Sequence, residues 1–115
     1  MPGATYDPFD IVAVPFPFTD RRATKRRPAL VLSTRPFNEA HEGLIAAMIT
    51  TAAGEPWPSD TPLRDWRAAG LGAPCVVRAR LFTIDKALIV RRLGSLGAHD
   101  RRMVGAQLSG ALAQA

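Results

Sequence analysis

A single cysteine, Cys75, stands in a chain of 115 residues, so no internal disulfide can staple the fold. Histidine is almost as scarce: His41 and His99 lie far apart, and neither they nor Cys75 show metal-ligand spacing. No stretch is long and apolar enough to span a bilayer, and the N-terminus lacks the pattern of a signal peptide. A glycine-rich phosphate loop and a nucleophile elbow are missing as well. These gaps argue against disulfide scaffolds, zinc centres, membrane spans and phosphate-loop enzymes. They fit a protein of a reducing cytoplasm, expected to bind no metal and no cofactor.

What the chain does contain is apolar residue and positive charge. Hydrophobic residues are 47% of the sequence and mean hydropathy is near zero, which indicates a globular chain. Its length suits one domain over residues 1–115, with a core sufficient for independent folding but not generous. A net charge of +5 and an isoelectric point near 10.7 favour a polyanionic or acidic partner. That charge is concentrated between Pro15 and Ser33, where an apolar run enters the basic loop Thr19 to Arg26 and leaves it through Arg27-Pro28. Proline fixes its own φ and biases the residue before it toward extended geometry, so Arg27 should leave the rim of a small sheet in a defined direction. The residues alone leave two readings open: a phosphate-reading cluster, or a solvated loop.

In chain order, Met1 to Asp7 reads as a loose leader. Asp10 to Phe16 reads as a strand, rich in β-branched residues and closed by Pro15 and Pro17. A second strand is expected from Ala29 to Ser33, then a connection from Arg35 through Gly43, then a strand from Leu44 to Thr51. Ala53 to Pro74 reads as a long irregular insertion, with one helical turn over Asp65 to Ala69 ended by Gly70. Of its tryptophans, Trp66 reads as a pin to the core, while Trp57 could do the same or stack on a base. Cys75 to Phe82 reads as a strand with Cys75, Val77, Ala79 and Leu81 on one face and Val76, Arg78, Arg80 and Phe82 on the other. Arg78 and Arg80 suit a contact surface or a solvated face equally. A turn at Thr83 to Lys86, a strand from Leu88 to Leu93 and a helix from about Ala98 to Leu112 complete the chain. In that helix Met103, Val104, Leu108, Ala111 and Leu112 form the apolar stripe, and Asp100 complements the dipole. Spacing alone therefore gives a mainly β chain with a C-terminal α-helix.

Asp10-Ile-Val-Ala-Val-Pro-Phe-Pro-Phe-Thr-Asp, followed by Lys25-Arg-Arg-Pro-Ala-Leu-Val-Leu-Ser, resembles the start of a toxin of the MazF/PemK family. The likeness continues through Ala47-Met-Ile-Thr-Thr and Val77-Arg-Ala-Arg-Leu-Phe-Thr-Ile-Asp-Lys, so it covers nearly the whole chain. It implies a small SH3-like barrel of the CcdB/PemK type, a homodimer with an RNA groove along the dimer face, and an endoribonuclease of a type II toxin–antitoxin pair. It implies Arg27 as electrostatic clamp and acid assistant, and Thr50 as a second donor. A threonine hydroxyl can donate to a phosphate oxygen, though read by itself Thr50 is an ordinary strand threonine. Thr51 sits on the opposite face, so only one of the two should point into the site. Arg21, Arg22, Lys25, Arg26, Thr51, Arg78 and Arg80 are the expected RNA contacts.

Two positions depart from the family pattern. Phe9 stands where a glycine commonly precedes the Asp10 position, which should alter packing rather than chemistry. Ala79 and Arg80 stand near a strand position where several members carry a carboxylate proposed to move a proton. The implied reaction is metal-independent: a 2′-OH attacks the adjacent phosphate of single-stranded RNA, leaving a 2′,3′-cyclic phosphate and a 5′-OH. The implied regulator is a cognate antitoxin with an acidic, disordered tail that folds into the cationic groove. Two rivals share the fold. One is a CcdB-like poison that binds DNA gyrase, which relies on a C-terminal Trp-Gly-Ile; this sequence ends Ala113-Gln114-Ala115. The other is an RNA-binding barrel without activity.

Overall fold

The computed structural model describes residues 5–16 and 25–115. The described residues form a mainly β structure: six antiparallel strands curled into a half-barrel, with a helix at the C-terminus. The strands are β1 (Asp10–Phe16), β2 (Lys25–Val31), β3 (Gly43–Thr51), β4 (Thr61–Pro62), β5 (Cys75–Asp85) and β6 (Arg91–Ser95), in the spatial order β4-β5-β3-β2-β1-β6. The helices are α1 (Arg35–Ala40) and α2 (Ala98–Ala111).

Alternation along these strands divides the core in two. Ile11, Leu30, Ala47, Ile49 and Val77 face one side, where Leu63, Leu71, Leu96 and the helix residues Val104 and Leu108 cover them. Val12, Val14, Ala29, Val31, Leu44, Ala46 and Ile84 face the other, closed by Ile89, Tyr6 and Phe82. Strand β1 is buried from Asp10 to Pro15 because both its faces carry core. Two prolines sit inside strands where the missing N–H is tolerated. Pro15 and Pro28 lie opposite Arg26 and Ala13 in the β1–β2 ladder, while the β6 and β3 ladders on their other sides stop short of them.

Several boundaries differ from the sequence reading. The second strand starts at Lys25 rather than Ala29, so Lys25 and Arg26, read as loop, belong to β2 together with Arg27. The connection after it contains α1, capped by Thr34, whose Oγ1 accepts from the Phe37 N–H at 3.4 Å. Six residues are too few to show a helical period, and tertiary bonds hold this helix. Asn38, 2% exposed, donates Nδ2 to the carbonyls of Tyr6 (2.9 Å) and Ser33 (3.0 Å). The irregular insertion contains the short strand β4. Residues 83–85, expected in a turn, continue β5 opposite Ile45, Leu44 and Gly43. A 3-10 helix (Lys86–Leu88) capped by Asp85 follows, so the last strand begins at Arg91 and not at Leu88.

The strand β5 carries two more residues than its partner: Met48 pairs with Arg78 and Ala47 with Leu81, so Ala79 and Arg80 oppose nothing. Beyond this bulge Leu81 pairs with Ala47, on the face of Val77 as alternation predicts, but it is 38% exposed. The apolar stripe of α2 is narrower than expected. Val104 and Leu108 are buried, while Met103, Ala111 and Leu112 are exposed. In their place Asp100 turns inward, fully buried, and accepts from the backbone N–H groups of Arg64 (3.0 Å) and Asp65 (2.9 Å).

The segment after Asp65 ends as a helix end does. The Gly70 N–H donates to the Arg67 carbonyl and the Leu71 N–H to the Trp66 carbonyl, both at 3.0 Å, with Gly70 at φ +93°. Here this turn lies directly on β6. A Cβ on Gly70 would stand 2.2 Å from the Leu93 oxygen, and one on Gly94 would stand 2.2 Å from the Ala69 oxygen. Phe9 adopts φ 70°, a left-handed conformation disfavoured for a residue with a Cβ. It is held there by bonds on both sides: its N–H donates to the Val31 carbonyl (2.7 Å) and its own carbonyl accepts from Leu96 (3.0 Å). The ring packs on the core beneath the Arg101 guanidinium, 5.5 Å from its centroid.

Candidate active site at the open end of the central strands

Between β2 and β3 the ladder pairs Val31 with Ala46, Leu30 with Ala47 and Ala29 with Met48, and then ends. Continued by two residues on each strand, that register brings Arg27 level with Thr50. Both lie an even step from the last pair, so their side chains belong to the same face. Lys25, Arg26 and Arg27 are exposed where β2 is paired to β1 alone. Arg27 lies opposite Val14, and its guanidinium sits 5.4 Å from the centroid of the Phe16 ring. An aromatic face under a guanidinium restrains its plane without consuming its hydrogen-bond donors. Thr50 is half-buried, opposite Val76 on β5, and Thr51 is exposed at the strand end, opposite Cys75. Arg21 and Arg22, the other expected cations of the loop, lie outside the described residues.

Across β3 from this pair, β5 places Arg78 on the same face. Arg78 is committed to an internal fork: Nε donates to Asp60 Oδ1 and Nη2 to Asp60 Oδ2, both at 3.0 Å, and Nη2 also reaches the Glu55 carbonyl at 3.0 Å. The pair is well covered, with side chains 18% and 8% exposed. Hydrogen bonding from Arg78 is the main cause that holds the Asp60 carboxyl below its usual range, aided by the Trp57 N–H at 2.9 Å. Trp57 lies under the guanidinium at 4.7 Å and closes the turn through its carbonyl, which accepts from Asp60 N–H at 3.0 Å. These groups border a pocket of about 190 Å³, lined by Thr51, Pro56, Trp57, Pro62, Val76 and Arg78 among others. Arg80, in the bulge, is exposed.

The sequence reading had Arg78 and left Trp57 open, but it missed Asp60. Eighteen residues separate Asp60 from Arg78, and no local spacing marks the pair. Only the Trp57-Pro58-Ser59-Asp60 turn composition hints that a carboxylate is being folded back. Other chemistry-bearing side chains are occupied elsewhere. Cys75 is buried and its thiol is pushed up by burial, which suppresses the thiolate. His41 ends α1 with its ring 4.2 Å from that of Phe37. Among the described residues no group of three or more His, Cys, Asp or Glu side chains could hold a metal ion together. No helix among them is long and apolar enough to cross a membrane.

Residues 7–112 match the family described as PemK-like, MazF-like toxin of type II toxin-antitoxin system. The chain belongs to this family. No curated protein matches it. Solved structures carry the same fold. Mycobacterium tuberculosis toxin MazF-mt6 is 22% identical, over 89% of this chain and 94% of that one, with a TM-score of 0.72. A MazE–MazF structure from Deinococcus radiodurans is 21% identical, over 97% and 99%, with a TM-score of 0.75. A mycobacterial endoribonuclease in complex with its cognate antitoxin is 16% identical, over 93% and 92%, with a TM-score of 0.73. In this PemK/MazF-type chain the half-barrel and terminal helix are thus the family fold.

Proposed function

We propose that this chain is a metal-independent endoribonuclease toxin that cuts single-stranded RNA at the Arg27–Thr50 end of the sheet. The observation that carries the reading is the register: continued past the last β2–β3 pair, it sets an always-charged fork and a hydroxyl level with each other on one face. Family membership and the similarity to toxin–antitoxin endoribonucleases support it.

In the proposed reaction the scissile phosphate lies between the two side chains. Attack by the 2′-OH, whose proton passes to solvent water, forms the new P–O bond and breaks the bond to the 5′-oxygen, which takes up a proton in turn, leaving a 2′,3′-cyclic phosphate and a 5′-OH. Arg27 binds the phosphate oxygens as negative charge grows on them and assists protonation of the leaving 5′-oxygen, while the Thr50 hydroxyl is the second donor. Asp60 is poorly suited to take the 2′-OH proton, because both its oxygens already accept hydrogen bonds and its carboxyl is held low. Lys25 and Arg26 extend the positive surface along the strand toward incoming RNA. The same surface is where the acidic, disordered tail of a cognate antitoxin would exclude RNA by occupancy, in a homodimeric, cytoplasmic toxin; the similarity to MazE–MazF complexes supports such a partner.

Cleavage rates of Thr50→Ala and Thr51→Ala against the wild type test the reading. The wild type is expected to cut, and Thr50→Ala to be slower by about tenfold, because a neutral hydroxyl contributes less than a guanidinium. Thr51→Ala is expected to change the rate less. A larger loss in Thr51→Ala assigns the catalytic hydroxyl to the other threonine, and a wild type that cuts no RNA overturns the reading.

A further inference from the structure

We propose that the pocket beside Trp57 and Arg78 is a subsite for one unpaired RNA base next to the scissile phosphate, and that Arg78 reads an acceptor on that base. This rests on the nuclease reading and adds the origin of its sequence preference.

Position is the first argument. Thr51 and Val76 line the pocket, and they are respectively the chain neighbour and the cross-strand partner of Thr50. A strand held at Arg27 and Thr50 therefore has this cavity beside it. Size is the second: an apolar cavity of about 150 Å³ accommodates benzene, so about 190 Å³ admits one base-sized ring. The walls are apolar at Pro56, Trp57, Pro62 and Val76, which suits the faces of a planar base that has left its stack. Trp57 remains 40% exposed although the rest of its turn is tied down.

The polar part is unusually fixed. Asp60 takes Nε and Nη2 of Arg78, and the Glu55 carbonyl takes Nη2 again, so the plane of the guanidinium is set before any ligand arrives. Nη1 has no hydrogen bond to a described residue, and it is the donor left for a ligand. Asp60 and Glu55 act as positioning groups for it. A donor of this kind favours the stronger carbonyl-oxygen acceptors of uracil, guanine or cytosine over adenine, which offers ring nitrogens alone.

Cut sites in a pool of random-sequence RNA, mapped for the wild type, Trp57→Ala and Trp57→Phe, test the proposal. The wild type is expected to disfavour adenine at one position beside the cut. Trp57→Ala should lose the preference at that position alone and bind roughly tenfold to a hundredfold more weakly, with KM changed more than kcat. Trp57→Phe should keep it. A second reading uses Trp66→Phe, which leaves Trp57 as the sole tryptophan, titrated with mixed-sequence 2′-O-methyl RNA that cannot be cut. Saturable quenching of Trp57 is expected. If the wild type cuts RNA while Trp57→Ala retains every preference, or if the pocket position selects adenine, the subsite is overturned and the nuclease reading stands. If the wild type cuts nothing yet RNA quenches Trp57, base binding at the pocket stands, while its place beside a scissile phosphate falls with the nuclease reading. If RNA neither is cut nor quenches Trp57, both fall.

Discussion

Arg27→Ala is expected to lower the rate of RNA cleavage by about 10²–10³ while leaving the circular-dichroism spectrum and melting temperature close to those of the wild type. The size follows from removing one charged donor from the place where the phosphate gains charge, an effect of about 2.7–4 kcal/mol in comparable oxyanion sites. The fold should tolerate the change because the Arg27 side chain is exposed and its guanidinium lies over the exposed Phe16 ring. Arg27→Lys should fall between the two, since an ammonium keeps the charge but loses the two-pronged geometry. Wild-type activity in a folded Arg27→Ala protein would remove Arg27 from the chemistry.

The largest effect on stability is expected from Asp100→Ala. The carboxylate has no solvent exposure and accepts two backbone N–H groups from a segment thirty-five residues earlier. Truncation leaves both donors without an acceptor and opens a small void, a loss of about 2–4 kcal/mol. In a chain of this size that lowers the melting temperature by roughly 10–20 °C. Asp100→Asn keeps one acceptor oxygen and should lose about half as much. The consequence reaches the site as well, because only Leu63 separates Arg64 and Asp65 from β4, whose Pro62 is one wall of the pocket. An unchanged melting temperature in Asp100→Ala would show that the Asp100 bonds add nothing to the hold on α2.

How far the sequence discloses the molecule depends on the range over which each feature is encoded. Strands β1 and β3 are continuous apolar, β-branched runs, and α2 is long enough to show its period, so all three are legible locally. Helix α1 is not, because six residues cannot show a period; its signature was the Thr34-Arg35-Pro36 start, which reads equally as a loop. Strand β5 is disguised by its bulge, and the polar residues Thr83 and Asp85 that follow imitate a turn. The site divides the same way. Arg27-Pro28 and Thr50 sit in motifs that carry a family resemblance, and the structure adds that they share one face. The fork of Asp60 on Arg78 and the inward turn of Asp100 join residues far apart in sequence, and only the folded chain brings them together.

The central claim is that Arg27 and Thr50 direct an internal 2′-OH onto its own phosphate without a metal ion. The chemical ends of the RNA fragments made by the wild-type protein in the presence of EDTA test it most directly. The account predicts cutting unchanged by EDTA, with 2′,3′-cyclic phosphate on one fragment and 5′-OH on the other, and about 10²–10³ less of both from Arg27→Ala. Fragments ending in 3′-OH and 5′-phosphate, or cutting abolished by EDTA, would contradict it.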